Sequence, residues 1–195
     1  MTMNEPIIEK AQKYIRDLFK GNSGGHDAGH SLRVYRLAMR IADTQPECDR
    51  TVVALAALLH DADDYKLFNT TDNANARAFL QENGIKADTV ELICEAINSV
   101  SFSKNRTKAP ATIEGQIVQD ADRLDALGAI GIARTFAFGG EHGRSIESTI
   151  EHFHQKLLLL KDGMNTPEAK AIAQERHAFL EEFLRRYERE ENLKD

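Results

Sequence analysis

The sequence predicts an all-α fold, a single domain of many helices. Apolar residues recur at the helical period nearly throughout the chain. No segment alternates apolar and polar residues well enough for a strand. Only 4 Pro and 12 Gly occur in 195 residues, which argues against both disorder and a turn-rich β protein. A chain of this length is expected to form one domain over 1–195 and to bury about 70% of its unfolded surface.

The elements follow in order. Ile7, Ile8, Ala11, Tyr14, Ile15, Leu18 and Phe19 share one helical face, with Asn4 as the expected cap and Gly21 as the stop. After the turn at 21–25, a second helix presents Val34, Leu37, Ala38 and Ile41. Residues 51–60, TVVALAALLH, are apolar on nearly every side, as suits a helix buried in the middle of a bundle. A fourth helix is expected over 73–83, ending at Gly84, and a fifth over 88–98 with Asp88 as cap. Residues 100–111 break the pattern and read as a loop. A sixth helix starts near Ile113 and carries Ile117, Val118, Ala121 and Leu124. Residues 126–138 are small and apolar, with glycines that permit close packing. One further helix starts near Ser145 and carries Ile150, Phe153, Leu157 and Leu160. The last opens at Thr166-Pro167, a cap followed by a proline in the first helical position.

Lys and Arg number 25 against 31 Asp and Glu, a net charge of −6. Nucleic acid and anionic membranes are therefore poor partners, since both call for a broad basic surface. A small anion held by a few local cations is still allowed. Cys48 and Cys94 are too few for a disulfide scaffold and read as small buried hydrophobes. The longest apolar run, 52–59, is far short of the ~20 residues that span a bilayer. The opening MTMNEPIIEK lacks a signal peptide's design, so the cytoplasm is the expected location.

Four polar residues interrupt this pattern. His30 lies at the start of the second helix, His60 and Asp61 close the most buried one, and Asp122 lies inside the sixth. A buried carboxylate without a partner is costly. Two histidines and two carboxylates together form a nitrogen/oxygen ligand set for a divalent cation and match its charge. Each residue alone is more simply a hydrogen-bonded core or cap residue; the order His, His-Asp, Asp is far more specific.

That order resembles the HD-domain phosphohydrolase superfamily, whose pattern is H…HD…D. The local contexts also match: HDAGHSLRVYRLA around His30, ALLHDADDYK around His60-Asp61 and QDADRLDALGAIGIAR around Asp122. The C-terminal EHFHQKLLLLKDGMNTPEAKAIAQERHAFLEEFL is similar to the small single-domain bacterial branch. The resemblance covers roughly residues 5–190. It implies a helical domain around one divalent metal ion held by His30, His60, Asp61 and Asp122. The donor set admits Mn, Co, Ni, Fe, Zn or Mg; manganese is favoured here. It also implies cleavage of phosphoester or phosphoanhydride bonds. In several branches an acidic residue four positions after the motif histidine handles the attacking water. Asp64 holds that position, with Asp63 beside it; the alternative for both is a solvated helix end. Multi-histidine branches bind a second metal through histidines between the HD pair and the last Asp. This chain has none there, and Asn98 sits where one would be sought, so a mononuclear site is expected.

Other residues are candidates around that centre. Asp125 follows Asp122 on one helical face and could hydrogen-bond a metal ligand or Arg33. Arg33 and Arg123 adjoin ligand positions, and Lys104, Arg106 and Lys108 form a basic loop without an acid. All five suit phosphate binding, against the plainer reading of surface cations. Phe102 could stack a base or plug the core. His26, four before His30, could face the substrate or merely cap the helix. His142 follows two glycines and could close over the site.

The expected substrate is a small phosphorylated molecule, a nucleotide. Similar single-domain members imply a nucleoside triphosphate cleaved to monophosphate and pyrophosphate. A nucleoside monophosphatase or cyclic-nucleotide phosphodiesterase is the alternative enzyme, and a non-catalytic nucleotide sensor the alternative class. The oligomeric state stays open, a homodimer included.

Overall fold

Helical periodicity becomes nine α-helices among the residues described by the computed structural model, 5–21, 27–65, 67–100 and 109–193. They are α1 (Glu5–Leu18), α2 (Ala28–Ala42), α3 (Arg50–Leu59), α4 (Ala74–Glu82), α5 (Ala87–Val100), α6 (Ile113–Asp125), α7 (Gly128–Glu141), α8 (Ile146–Gln155) and α9 (Pro167–Glu191). A 3₁₀ segment, Leu157–Gly163, links α8 to α9.

Helix α3 is the axis. Every residue from Val52 to Leu59 is buried, and α1, α2, α5 and α6 pack around it. Each of Leu55, Leu58 and Leu59 is fully enclosed, which stabilises the fold by about 2 kcal/mol per side chain relative to exposure. An all-apolar helix can be covered in this way only at a bundle centre. Its end therefore delivers His60 and Asp61 into the interior, between α2 and α6.

Capping explains the boundaries. Asp27 caps α2, Asp49 caps α3, Thr112 caps α6, Ser145 caps α8 and Thr166 caps α9, each accepting from a first-turn amide. Gly84, with φ +73°, ends α4 as expected. Asn4 lies outside the described residues.

Three expectations needed correction. Asp88 does not cap α5; that helix begins at Ala87, so Asp88 favours its positive N-terminal end from within the first turn. Residues 126–138 are not merely close-packing chain: they lie mostly in α7, a helix that reaches Glu141. The helix expected from Ser145 through Leu160 breaks at Lys156, whose φ of −135° leaves helical space. The chain resumes as 3₁₀, where residues three apart share a side, and this buries Leu157 and Leu160 together. Cys94 is buried and Cys48 half-buried, both as free thiols. No helix among the described residues is long and apolar enough to cross a membrane.

Candidate metal centre and active site

His30, His60, Asp61 and Asp122 converge from α2, the end of α3 and α6. The His30 and His60 Nε2 atoms lie 3.2 Å apart. Asp122 Oδ1 is 3.3 Å from the His30 Nε2 and 3.8 Å from the His60 Nε2. The two carboxylate oxygens of Asp61 divide between the rings, Oδ2 3.5 Å from the His30 Nε2 and Oδ1 3.5 Å from the His60 Nε2. One ligand atom each from His30, His60 and Asp122 falls within a 4.8 Å span.

The surroundings decide which face of each ring points inward. His60 Nδ1 lies 2.9 Å from the Ala57 carbonyl, which can only accept, so this nitrogen carries the hydrogen. His30 Nδ1 lies 2.8 Å from Asp125 Oδ2, with the same consequence. Both Nε2 lone pairs then face each other and two carboxylates. Four electron-rich atoms at such spacing repel unless a positive charge joins them. A divalent ion with two neutral imidazoles and two carboxylates satisfies all four, and the donor set fits it. Taken alone, the side chains draw in a proton instead. Burial works against a charged His30, but hydrogen bonds to Asp122 and Asp125 outweigh it and push its pKa up to about 9. For Asp122, burial works against the charge, and His30 and His60 outweigh it, holding the carboxyl below its usual range.

Local structure fixes these groups. The Asp27 carboxylate accepts from the His30 amide at 2.7 Å, anchoring that residue in the first turn of α2. Asp125 is buried and also receives Arg33 through Nε at 2.8 Å and Nη2 at 3.1 Å, and Arg134 through Nη1 at 2.7 Å. These four candidate residues line a cavity of about 860 Å³, within the range that holds a nucleotide-sized molecule.

The sequence profile of the HD domain matches residues 27–127, which includes all four of these residues. The chain is an HD-domain protein. The uncharacterised Bacillus subtilis protein YpgQ is 38% identical over 190 residues, covering 93% of this chain and 92% of its own length. The crystal structure of YpgQ in complex with ADP superposes with a TM-score of 0.81 at 35% identity, covering 94% of this chain and 97% of YpgQ. A Bacillus thuringiensis HD-superfamily hydrolase gives 0.79 at 36% identity, covering 96% of this chain and 98% of that one. The protein is a hydrolase of the HD superfamily.

Other residues expected at this HD site divide into groups. Asp64 lines the cavity, half-buried. Asp63 lines it too, but both of its carboxylate oxygens are engaged, accepting from the amides of Asn75 at 2.9 Å and Ala76 at 3.1 Å at the start of α4. Arg33 does not line the cavity; its fork is occupied by Asp125. Arg123 borders the cavity but is buried, and its guanidinium donates to the Gly163 carbonyl at the end of the 3₁₀ segment. Burial lowers its pKa, against the pull of Asp120 and Asp122. Asp125 meets a metal-ligand candidate and Arg33 at once, so the two partners weighed as alternatives are both present. His142 is exposed, stacks on Phe138 at 3.9 Å and does not line the cavity. Asn98 lines the cavity and its Oδ1 accepts from Asn73 Nδ2 at 3.1 Å. His26, Phe102, Lys104, Arg106 and Lys108 lie outside the described residues.

The sequence reading missed Asp27 and Arg134. Asp27 carried a legible signal, a capping aspartate just before a helical run. Arg134 carried none, because its use depends on α7 folding back over α6.

Proposed function

We propose that the protein hydrolyses nucleoside triphosphates to the monophosphate and pyrophosphate, using one divalent metal ion held by His30, His60, Asp61 and Asp122. The convergence of two imidazole Nε2 atoms and two carboxylates at the wall of a nucleotide-sized cavity carries this reading. The ADP bound by YpgQ supports a nucleotide as the ligand class. Manganese is the favoured metal, although the donor set suits several.

When bound, the metal would neutralise phosphate oxygens and make water a stronger acid. Asp125 keeps the His30 ring in one tautomer and orientation, with Arg33 and Arg134 holding the carboxylate in turn. Asp64 takes the role of orienting the attacking water and accepting its proton. Asp63 is the weaker candidate for that role because α4 already uses both of its oxygens.

The test is product analysis of nucleoside tri-, di- and monophosphates and cyclic nucleotides with Mn²⁺, Co²⁺, Ni²⁺ or Mg²⁺. Pyrophosphate release from triphosphates supports the reading. Free phosphate from monophosphates, or opening of cyclic nucleotides alone, replaces it with the corresponding alternative. A His60→Ala/Asp61→Ala variant should stay folded and lose all turnover; no turnover by the wild type with any of these metals would leave a nucleotide sensor.

A further inference from the structure

We propose that α7, α8 and the residues joining them form the subsite for the substrate's phosphate chain, with Arg144 and Lys156 as its principal cations. The proposal rests on the nucleotide-hydrolase reading above and names how that substrate is gripped. It also shifts the cationic clamp away from the 104–108 loop.

The cavity is electrically two-sided. The carboxylates among its lining residues are those of Asp61, Asp63, Asp64, Asp72 and Asp122, all from the 61–72 stretch or from α6. From α7 onward the described lining residues include Arg134, Arg144, His152 and Lys156, and none is acidic. Arg123 of α6 also borders the cavity, with its guanidinium held by the Gly163 carbonyl, so the acidic segments are mainly suited to a cation and those from α7 onward to an anion. A multiply charged phosphate chain with a metal at one end matches this division.

The basic side is organised rather than incidental. The Arg144 guanidinium lies 5.2 Å from the centroid of the Phe138 ring, a cation–π contact on a residue that itself lines the cavity. Lys156 closes the end of α8, its amide donating to the His152 carbonyl at 3.1 Å. Both cations reach the same imidazole: burial first, then Lys156 and Arg144, hold His152 below its ordinary pKa. Arg134 contributes less, because Asp125 already binds it at 2.7 Å. Two cations lining one cavity and acting on one histidine exceed what a single terminal phosphate needs and suit the two outer phosphates of a triphosphate, which would leave as pyrophosphate.

The experiment uses the full-length protein, as purified and after chelation, with inorganic tripolyphosphate and AMP as probes in low salt. Calorimetry on the wild type, Arg144→Ala, Lys156→Ala and the double variant reads the affinities. The expected result is tripolyphosphate binding at least tenfold weaker in the double variant, with little change for AMP. KM for the triphosphate should rise while kcat changes little. Arg144 is exposed and Lys156 half-buried, so the ligand-free melting temperature should hold; Arg144→Lys and Lys156→Arg should restore most of the binding. Unchanged tripolyphosphate affinity in the double variant would overturn the proposal. If tripolyphosphate needs Arg144 and Lys156 but no nucleotide is hydrolysed, the subsite stands and the nucleotide reading falls. If triphosphates are hydrolysed and the variants bind normally, the reverse holds.

Discussion

The Nδ1 atom of His30 lies 2.8 Å from the carboxylate of Asp125, a residue 95 positions away in the chain. That contact makes His30 present its other nitrogen to the centre. Replacing Asp125 with Asn leaves the shape but removes the charge that favours this tautomer. Metal affinity should fall by about 10- to 100-fold, as for other carboxylates that orient a ligating histidine. Competition with a chromogenic chelator measures it. Arg33 and Arg134 also lose their counter-ion, so the fold should lose about 3 kcal/mol, the low end for breaking a buried pair, because both guanidiniums keep some contact with water.

The same pair gives the chelated protein a pH signature with two opposite signs. For Asp125, burial works against the charge, but hydrogen bonds from His30 and Arg33 hold its carboxyl well below the usual range. Its contribution is therefore full above the unfolded value of about 3.9 and is lost as the pH falls through the folded one. His30 is raised to about 9, so its contribution is full below the ordinary 6.5 and is lost as the pH rises between these two values. Urea unfolding of the chelated protein should show weakened stability at both ends, below about pH 4 and above about pH 7. Asp125→Asn should flatten both slopes; an alkaline slope equal to the wild type's would mean that His30 does not depend on Asp125.

Asp120 and Asp122 sit two positions apart on α6 and should separate cleanly by mutation. Asp120 is buried and accepts from the amides of Asn165 and Thr166, the Asn165 side chain and the Thr166 hydroxyl, each at 2.8 Å. It thereby ties α6 to the start of α9. Asp120→Ala should cost about 2–4 kcal/mol of unfolding free energy and leave metal affinity unchanged. Asp122→Ala should do the reverse, abolishing metal binding and turnover with a smaller change in the melting temperature. Chemical unfolding and chelator competition on the two variants read both halves of the contrast.

The difference between these two aspartates explains what the sequence could disclose. The helices were legible because one apolar face at a 3.6-residue period has few other solutions, and α3 announced its central place by having no polar face. The centre was legible because His30, His60, Asp61 and Asp122 stand in apolar surroundings at an ordered spacing. Asp120 lies in the same surroundings as Asp122, yet its partners, Asn165 and Thr166, are 45 and 46 positions away, and no local pattern records them. Arg33 and Arg123 do adjoin the site along the chain, but Arg33 turns to Asp125, outside the cavity lining, and Arg123, at the cavity's border, donates to the Gly163 carbonyl. Adjacency along a helix fixes a backbone position, whereas the direction of a long side chain is set by whichever acceptor the tertiary fold brings within reach. The basic lining from α7 onward was invisible for a further reason: Arg144 and Lys156 line one cavity only because the chain turns between α7 and α8.

That lining depends on how tightly α7 leaves α6, and two glycines of α7 test it in opposite directions. A Cβ on Gly131 would lie 2.2 Å from the Ala126 carbonyl oxygen, a backbone atom that cannot step aside alone. Gly131→Ala must therefore push the start of α7 away from α6, and both residues line the cavity. The expected cost is about 3 kcal/mol, at the upper end of ordinary overpacking because the neighbour is backbone. KM for the triphosphate should rise as Arg134 and Phe138 move with the helix. At Gly140, in the last turn of the same helix, an added Cβ would meet nothing within 4 Å. Gly140→Ala should raise stability by about 0.5 kcal/mol through helix propensity and leave KM alone. Thermal melts and steady-state kinetics on the two variants read both effects, and equal behaviour of the two would refute a steric role for Gly131.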